Sequence, residues 1–252
     1  MGYNHAISGA AAWVAVSTAT PYSLGMVPMG PLEVVSGAVI CAGAALLPDA
    51  DHHNATIAHS VPVVGRVAAG AVGTLTGGHR HGLHSVLAIV GIWFLMSFIA
   101  TLTWEPGLLA RTIFIGAAIT TAALLAFALK VLKVAKTWPK AWLFGMLLSA
   151  VLALVQPQVA SWFPICVTIG FMAHLVGDLL TVGGLPLLWP IVIKPPALIA
   201  NTPILNKVWM PNGYVAIPIL GRTGSAREML LGVILAGYTL VVTCYSVYEA
   251  VV

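Results

Sequence analysis

Residues 85–104, 108–132, 162–182 and 228–251 are long, almost uninterrupted apolar runs, each long enough to cross a bilayer as a helix. Inside hydrocarbon every backbone N–H and C=O must find its partner within the protein, so runs of this length admit helices and little else. The composition agrees: 60% of the 252 residues are hydrophobic, only 7% are charged, and mean hydropathy is +0.99. Soluble domains do not reach these values. The chain is expected to be an all-α integral membrane protein, a polytopic helical bundle forming one domain over residues 1–252.

Shorter segments refine that expectation. Residues 141–155 form a further uninterrupted run between Pro139 and Pro157. Near the start, 5–18 and 32–47 are apolar, rich in small residues and short, so they span only if packed or tilted. Residues 66–76 predict a half-helix or an interfacial helix. Residues 183–227, rich in proline and glycine, predict a non-helical excursion on one face before the last helix. Five to seven membrane-embedded helices result. The N-terminus lacks a basic stretch followed by a small-residue cleavage site and reads as part of the mature chain. Cys41, Cys166 and Cys244 sit in apolar runs without C-x-x-C spacing and read as small buried hydrophobes.

Eleven lysines and arginines against seven acids give a pI near 9.1. In a membrane protein this excess bears on orientation and on anionic headgroups, and no nucleic-acid partner is expected. Lys130, Lys133, Lys136 and Lys140 crowd one short loop, which the positive-inside rule assigns to the cytoplasm. Counting helices away from it brings 49–84 and 183–227 to the same side, with Lys194, Lys207, Arg222 and Arg227. His5, the His174/Asp178 end of its helix and Glu228 follow.

The scarce polar residues are gathered there. They read LLPDADHH at 46–53, GHRHGLHS at 78–85 and HLVGD at 174–178. Carboxylates and imidazoles at the edge of hydrocarbon are costly unless something binds them, and together they are a ligand set for zinc or a similar divalent ion. His174 and Asp178, four apart on a helix, share one face; the alternative is an intrahelical His–Asp hydrogen bond facing a polar cavity. Asp49 and Asp51 follow Pro48, where an Asx-type turn would explain Asp49 alone but not Asp51, His52 and His53 after it. His79 and His84 flank Gly82, with Ser85 as N-cap of the next helix. Arg80 suits a phosphate or a carboxylate, or forms a salt bridge to one of the aspartates. His53 and His81 are expected at the site's edge, and His59 as an ordinary loop histidine. In GRTGSARE at 221–228, backbone amides and arginines suit an anion, but Ser225 and Glu228 also fit an S-x-x-E capping box, the better reading of that segment alone.

An early histidine, LLPDADH, HR followed by HS, HLVGDLLTVGGLPLLWP, and TGS with a glutamate three residues on together resemble the YdjM-like family. These are bacterial inner-membrane proteins described as membrane-bound metal-dependent hydrolases. The resemblance runs from His5 to Glu228. The family is distantly similar to zinc-dependent phospholipase C and single-strand nucleases, all-helical proteins with His/Asp metal clusters. The resemblance implies functional roles for His5, Asp49, Asp51, His52, His79, Arg80, His84, Ser85, His174, Asp178, Thr181 and Glu228. This chain departs in having His81 where the family has glycine after the HR pair, and Leu83 where it often has threonine.

Two functions follow as expectations. In the first, one to three divalent ions, zinc foremost, are held by His5, Asp49, Asp51, His52, His79, His84, His174, Asp178 and Glu228 and activate a water against a phosphoester. Asp49, Asp51 and Arg80 would carry the chemistry. A lipid or other amphiphilic substrate suits a site at the cytoplasmic boundary of the bacterial inner membrane. In the second, the same residues carry an ion across the membrane or staple a scaffold. The one-sided placement favours the first, since transport sites lie near the midplane.

Overall fold

The computed structural model describes residues 2–52, 54–61, 63–78, 80–107 and 111–252. Ten α-helices are present among them: α1 (Gly2–Ser17), α2 (Pro31–Ala44), α3 (Val64–Leu75), α4 (Val86–Ala100), α5 (Ile115–Val131), α6 (Trp138–Val155), α7 (Val159–Leu179), α8 (Ala197–Ala200), α9 (Leu205–Val208) and α10 (Ala226–Glu249). Short 3-10 turns occupy Pro48–Asp51, Thr56–His59 and Gly82–His84. Among the described residues four spans are long and apolar enough to cross a membrane: Pro31–Asp51, in which α2 runs on through the first 3-10 turn, then α6, α7 and α10. The all-helical, polytopic architecture expected from the apolar runs is observed.

Burial separates inner helices from outer ones. In their most apolar stretches the Pro31–Asp51 and α7 spans are 67% and 61% buried, against 17% for α6 and 11% for α10. α1, α5 and α7 all pack on α2, around a core that includes Trp13, Ile40, Leu124 and Phe163. Glycine permits the close approach: a Cβ at Gly9 would lie 2.6 Å from the Cys41 carbonyl of α2, and one on Gly43 would strike the backbone of Leu124 in α5. Lipid tails are as apolar as leucine, so tight van der Waals packing between small residues drives such helices together.

Several boundaries differ from expectation. α4 ends at Ala100 and α5 begins at Ile115, because Trp104 and Ile113 pair through reciprocal 2.8 Å backbone hydrogen bonds. Pro106 and Gly107 lie in the resulting turn, so both helices are shorter than the apolar runs suggested. α6 is longer, because Pro139 sits in its first turn, where a missing N–H is harmless. Cys244 is exposed on α10, unlike the buried Cys41 and Cys166.

The helices put the polar clusters at one end. There Gly2, Leu46 and Val131 of α1, the α2 terminus and α5 line one cavity with Asp49, and Trp142 of α6 donates to the Ser60 carbonyl at 2.9 Å. At the opposite end Tyr238 donates to the Tyr22 carbonyl, and Arg111 donates to the Leu154 carbonyl. The excursion between α7 and α10 folds back on the first end through paired Leu185–Val215 bonds of 2.9 Å and an Ile217 N–H to Leu179 bond of 2.7 Å.

Candidate metal centre

α7 supplies the centre's fixed face. His174 is fully buried, and its Nδ1 donates to the carbonyl of Ala45 at 2.8 Å. That carbonyl stands at the C-cap of α2, where the helix leaves carbonyls without partners of its own. With Nδ1 so engaged, Nε2 turns its lone pair into the cluster, the arrangement by which carbonyls orient metal-binding histidines. One turn on, Asp178 presents Oδ1 to His5 Nε2 at 3.6 Å, and Oδ2 to His84 Nε2 at 3.7 Å and to His174 Nε2 at 3.8 Å.

Asp49 and Asp51 share one 3-10 turn, whose three-residue period points positions two apart in different directions. Asp49 Oδ1 lies 3.8 Å from His174 Nε2, whereas Asp51 Oδ2 lies 3.5 Å from His84 Nδ1, on the far side of that ring. Asp51 therefore meets His84 from the side of the ring opposite Asp178. α3 covers it, since a Cβ on Gly73 would come within 2.7 Å of the Asp51 carbonyl. His84 is held by the Gly82–His84 turn, just before Ser85, which caps α4 by accepting from the Ala88 N–H at 3.2 Å. His5 comes from α1 and stacks on His174 with ring centroids 3.9 Å apart.

Among the described residues two triads result, His5/His174/Asp178 and Asp49/His84/His174, each with ligand atoms within 4.8 Å of one another. Ligand atoms of a tetrahedral ion bound at about 2.0–2.1 Å lie about 3.4 Å apart, only slightly closer than the 3.6–3.8 Å contacts here. His174 Nε2 is buried and has no hydrogen-bond partner among the described residues. Leaving such a group unsatisfied costs about 1–3 kcal/mol, and a cation would satisfy it. Imidazole nitrogens with carboxylate oxygens suit zinc or a similar borderline ion. The residues fit a metal.

Arg80 is paired with Asp178, Nη2 to Oδ2 at 3.3 Å, which is the salt-bridge alternative. Its backbone is left-handed, with φ 59°, and its carbonyl accepts from the Tyr214 hydroxyl at 3.2 Å. Gly183 leaves room for the guanidinium, since a Cβ there would collide with Nη1.

The remaining candidates make other contacts. Glu228 is not in either triad: its oxygens accept from the Asn4 amide at 2.8 Å and the Gly224 N–H at 2.5 Å, while Ser225 Oγ accepts from the Glu228 N–H. It closes the α10 N-terminus on α1, the capping role that S-x-x-E suggested. His52 lies outside both triads too; its Nδ1 accepts from the Asn54 N–H at 3.1 Å and its ring lines the cavity beside Asp49. Thr181 donates to the Asp178 carbonyl at 2.8 Å, tightening the end of α7. His81 meets the Tyr214 hydroxyl at 3.4 Å, and His59 is exposed. His53 and His79 lie outside the described residues.

Sequence reasoning missed three contributors. The Ala45 carbonyl has no side-chain signature, and Tyr214 stands 134 positions from Arg80. Asn4 had a weak signal in its place beside His5.

Comparison with curated proteins gives no match, and neither does comparison with solved structures. Over residues 1–250 the chain matches the family described as YdjM inner membrane protein, and it belongs to that family.

Proposed function

We propose that the chain is a membrane-bound metal-dependent hydrolase of a phosphoester in a lipid or other amphiphilic substrate, phospholipase C- or phosphodiesterase-like. Its centre would lie on the cytoplasmic side of the bacterial inner membrane, where the Lys130–Lys140 loop directs that end of the bundle. One observation carries the reading. Five ligating side chains from four separate segments, His5, Asp49, His84, His174 and Asp178, converge on one buried point at the end of the bundle. Both triads share His174, and a single Nε2 lone pair favours one ion there.

A divalent ion at this point would supply a Lewis acid that acidifies water and polarises a phosphoryl oxygen. The protein's own groups divide the rest of the work. Asp49 is 27% exposed in its side chain while His84, His174 and Asp178 are closed off, and it borders a cavity of about 340 Å³. It is therefore the carboxylate placed to take a proton from water. Arg80 holds Asp178 through Nη2, and its planar fork retains donors for a phosphate oxygen. His84, His174 and Asp178 are shielded from solvent, which strengthens the interactions they make.

Metal content measured alongside phosphodiesterase activity on lipid and on soluble substrates tests the reading. Arg80→Ala is expected to keep its metal and lose turnover, and His174→Ala to lose both. Full activity in a metal-free His174→Ala protein would end the hydrolase reading. A scaffold is the second reading, favoured by the fact that the same five residues pin α1, the α2 terminus, the His84 turn and α7 together. Metal-dependent stability without turnover on any phosphoester would select it.

A further inference from the structure

The excursion between α7 and α10 holds three cations, Lys194, Lys207 and Arg222, Arg227 follows in the first turn of α10, and there is not one acidic residue from 183 to 227. It also leaves large apolar side chains outside the protein: Leu198 is 81% exposed, Ile204 76%, Ile191 67% and Ile219 61%. Water does not tolerate so much exposed aliphatic surface on a stable domain without a partner to cover it. These are not residues of a loose loop. Leu185 and Val215 exchange backbone hydrogen bonds, Ala216 donates to the Val208 carbonyl at 2.8 Å, and Trp209 Nε1 donates to the Ile193 carbonyl at 3.0 Å. The segment is a built platform that points its aliphatic groups outward.

Its position says what covers it. The platform joins the ends of two membrane-crossing helices, α7 and α10, and is tied to the α7 terminus by bonds from Ile217 to Leu179 and from Leu220 to Leu180. It therefore sits at the boundary of the membrane those helices cross. Aliphatic side chains interleaved with cations, with indole rings at Trp189 and Trp209, match the interfacial layer, where apolar groups sink toward acyl chains and cations meet anionic headgroups.

We infer that residues 185–222 form an interfacial platform embedded in the headgroup layer of the membrane, with anionic lipids as its partner. The inference goes beyond the proposed hydrolysis and holds whether or not the centre is catalytic. The platform borders the centre, since Tyr214 holds the Arg80 carbonyl and Gly183 flanks the Arg80 guanidinium. Lipid gathered there would stand next to the metal ligands.

The test uses the full chain in lipid nanodiscs, with Cys244→Ala to remove the exposed thiol and single Leu198→Cys or Ile204→Cys variants carrying a small fluorophore. Lipids spin-labelled high on the acyl chain are expected to quench both probes, and aqueous iodide to leave them nearly untouched. In mixed membranes a quencher carried on phosphatidylglycerol should outperform one on phosphatidylcholine, by up to roughly fivefold for each cation at the surface. Iodide quenching without lipid quenching would overturn the inference in favour of an aqueous face. Protection from both quenchers would overturn it in favour of a second copy or another protein. Equal quenching by the two lipids would reject the anionic partner. None of these readouts depends on turnover, so the failure of one idea leaves the other intact.

Discussion

Asp51 and Asp178 approach His84 from opposite sides of its ring, and replacing each with asparagine tests whether the two do different work. Asp178 turns both oxygens into the cluster, at 3.6 Å from His5 and 3.7–3.8 Å from His84 and His174. Asp51 meets His84 on its Nδ1 side, 3.5 Å away. An orienting carboxylate of that kind is worth about 10–100-fold in metal affinity, or about 1.4–2.7 kcal/mol. A ligand is worth more: a binding free energy of about 10–16 kcal/mol shared over about four ligands gives roughly 2.5–4 kcal/mol each, about 10²–10³-fold. Asp178→Asn also leaves the Arg80 guanidinium facing the ion unneutralised, which adds to the loss. Both variants keep side-chain volume, so the fold should survive, as thermal melts of the purified protein would confirm. The assay is competitive titration of the metal against a chromophoric chelator in detergent or nanodiscs. Asp51→Asn should bind with affinity lowered by one to two decades, and Asp178→Asn should fail to retain stoichiometric metal. Equal losses would make Asp51 a ligand, and undiminished binding by Asp178→Asn would refute the centre as described.

Other consequences are as direct. Gly43→Ala places a methyl against the Leu124 backbone and should destabilise the bundle by about 1–3 kcal/mol, read as a lowered melting temperature; an unchanged melt would mean that α2 and α5 are not so closely packed. Glu228→Gln retains an acceptor for the α10 cap and should leave metal content unchanged, whereas metal loss would make Glu228 a ligand. Cysteines introduced at Lys136 and Asn201 should be shielded from impermeant reagents in intact cells while one at Val252 reacts, and reaction at 136 would move the centre to the other face of the membrane.

The apolar runs made the helices legible because a bilayer leaves the backbone no alternative, and the i, i+4 spacing of His174 and Asp178 made their common face legible for the same reason of regular geometry. Where regularity ends, so did the reading. The α4–α5 turn is decided by cross-chain pairing of Trp104 with Ile113, which no run of hydrophobicity encodes. Asp49, Asp51 and His52 are near neighbours in sequence, but a tight 3-10 turn sends Asp49 toward His174 and Asp51 toward His84, while His52 lines the cavity beside Asp49, so near neighbours end in different surroundings. Arg80 allowed two partners on chemistry alone, and tertiary placement beside Asp178 chose between them.

X-ray absorption at the edge of the ion bound to the zinc-reconstituted protein tests the metal centre most directly. The account predicts about one tightly held ion per chain with a first shell of nitrogen and oxygen only, at about 2.0–2.2 Å, and with the outer-shell scattering of imidazole rings. A sulfur shell near 2.3 Å, or a folded protein that takes up no metal, would contradict it.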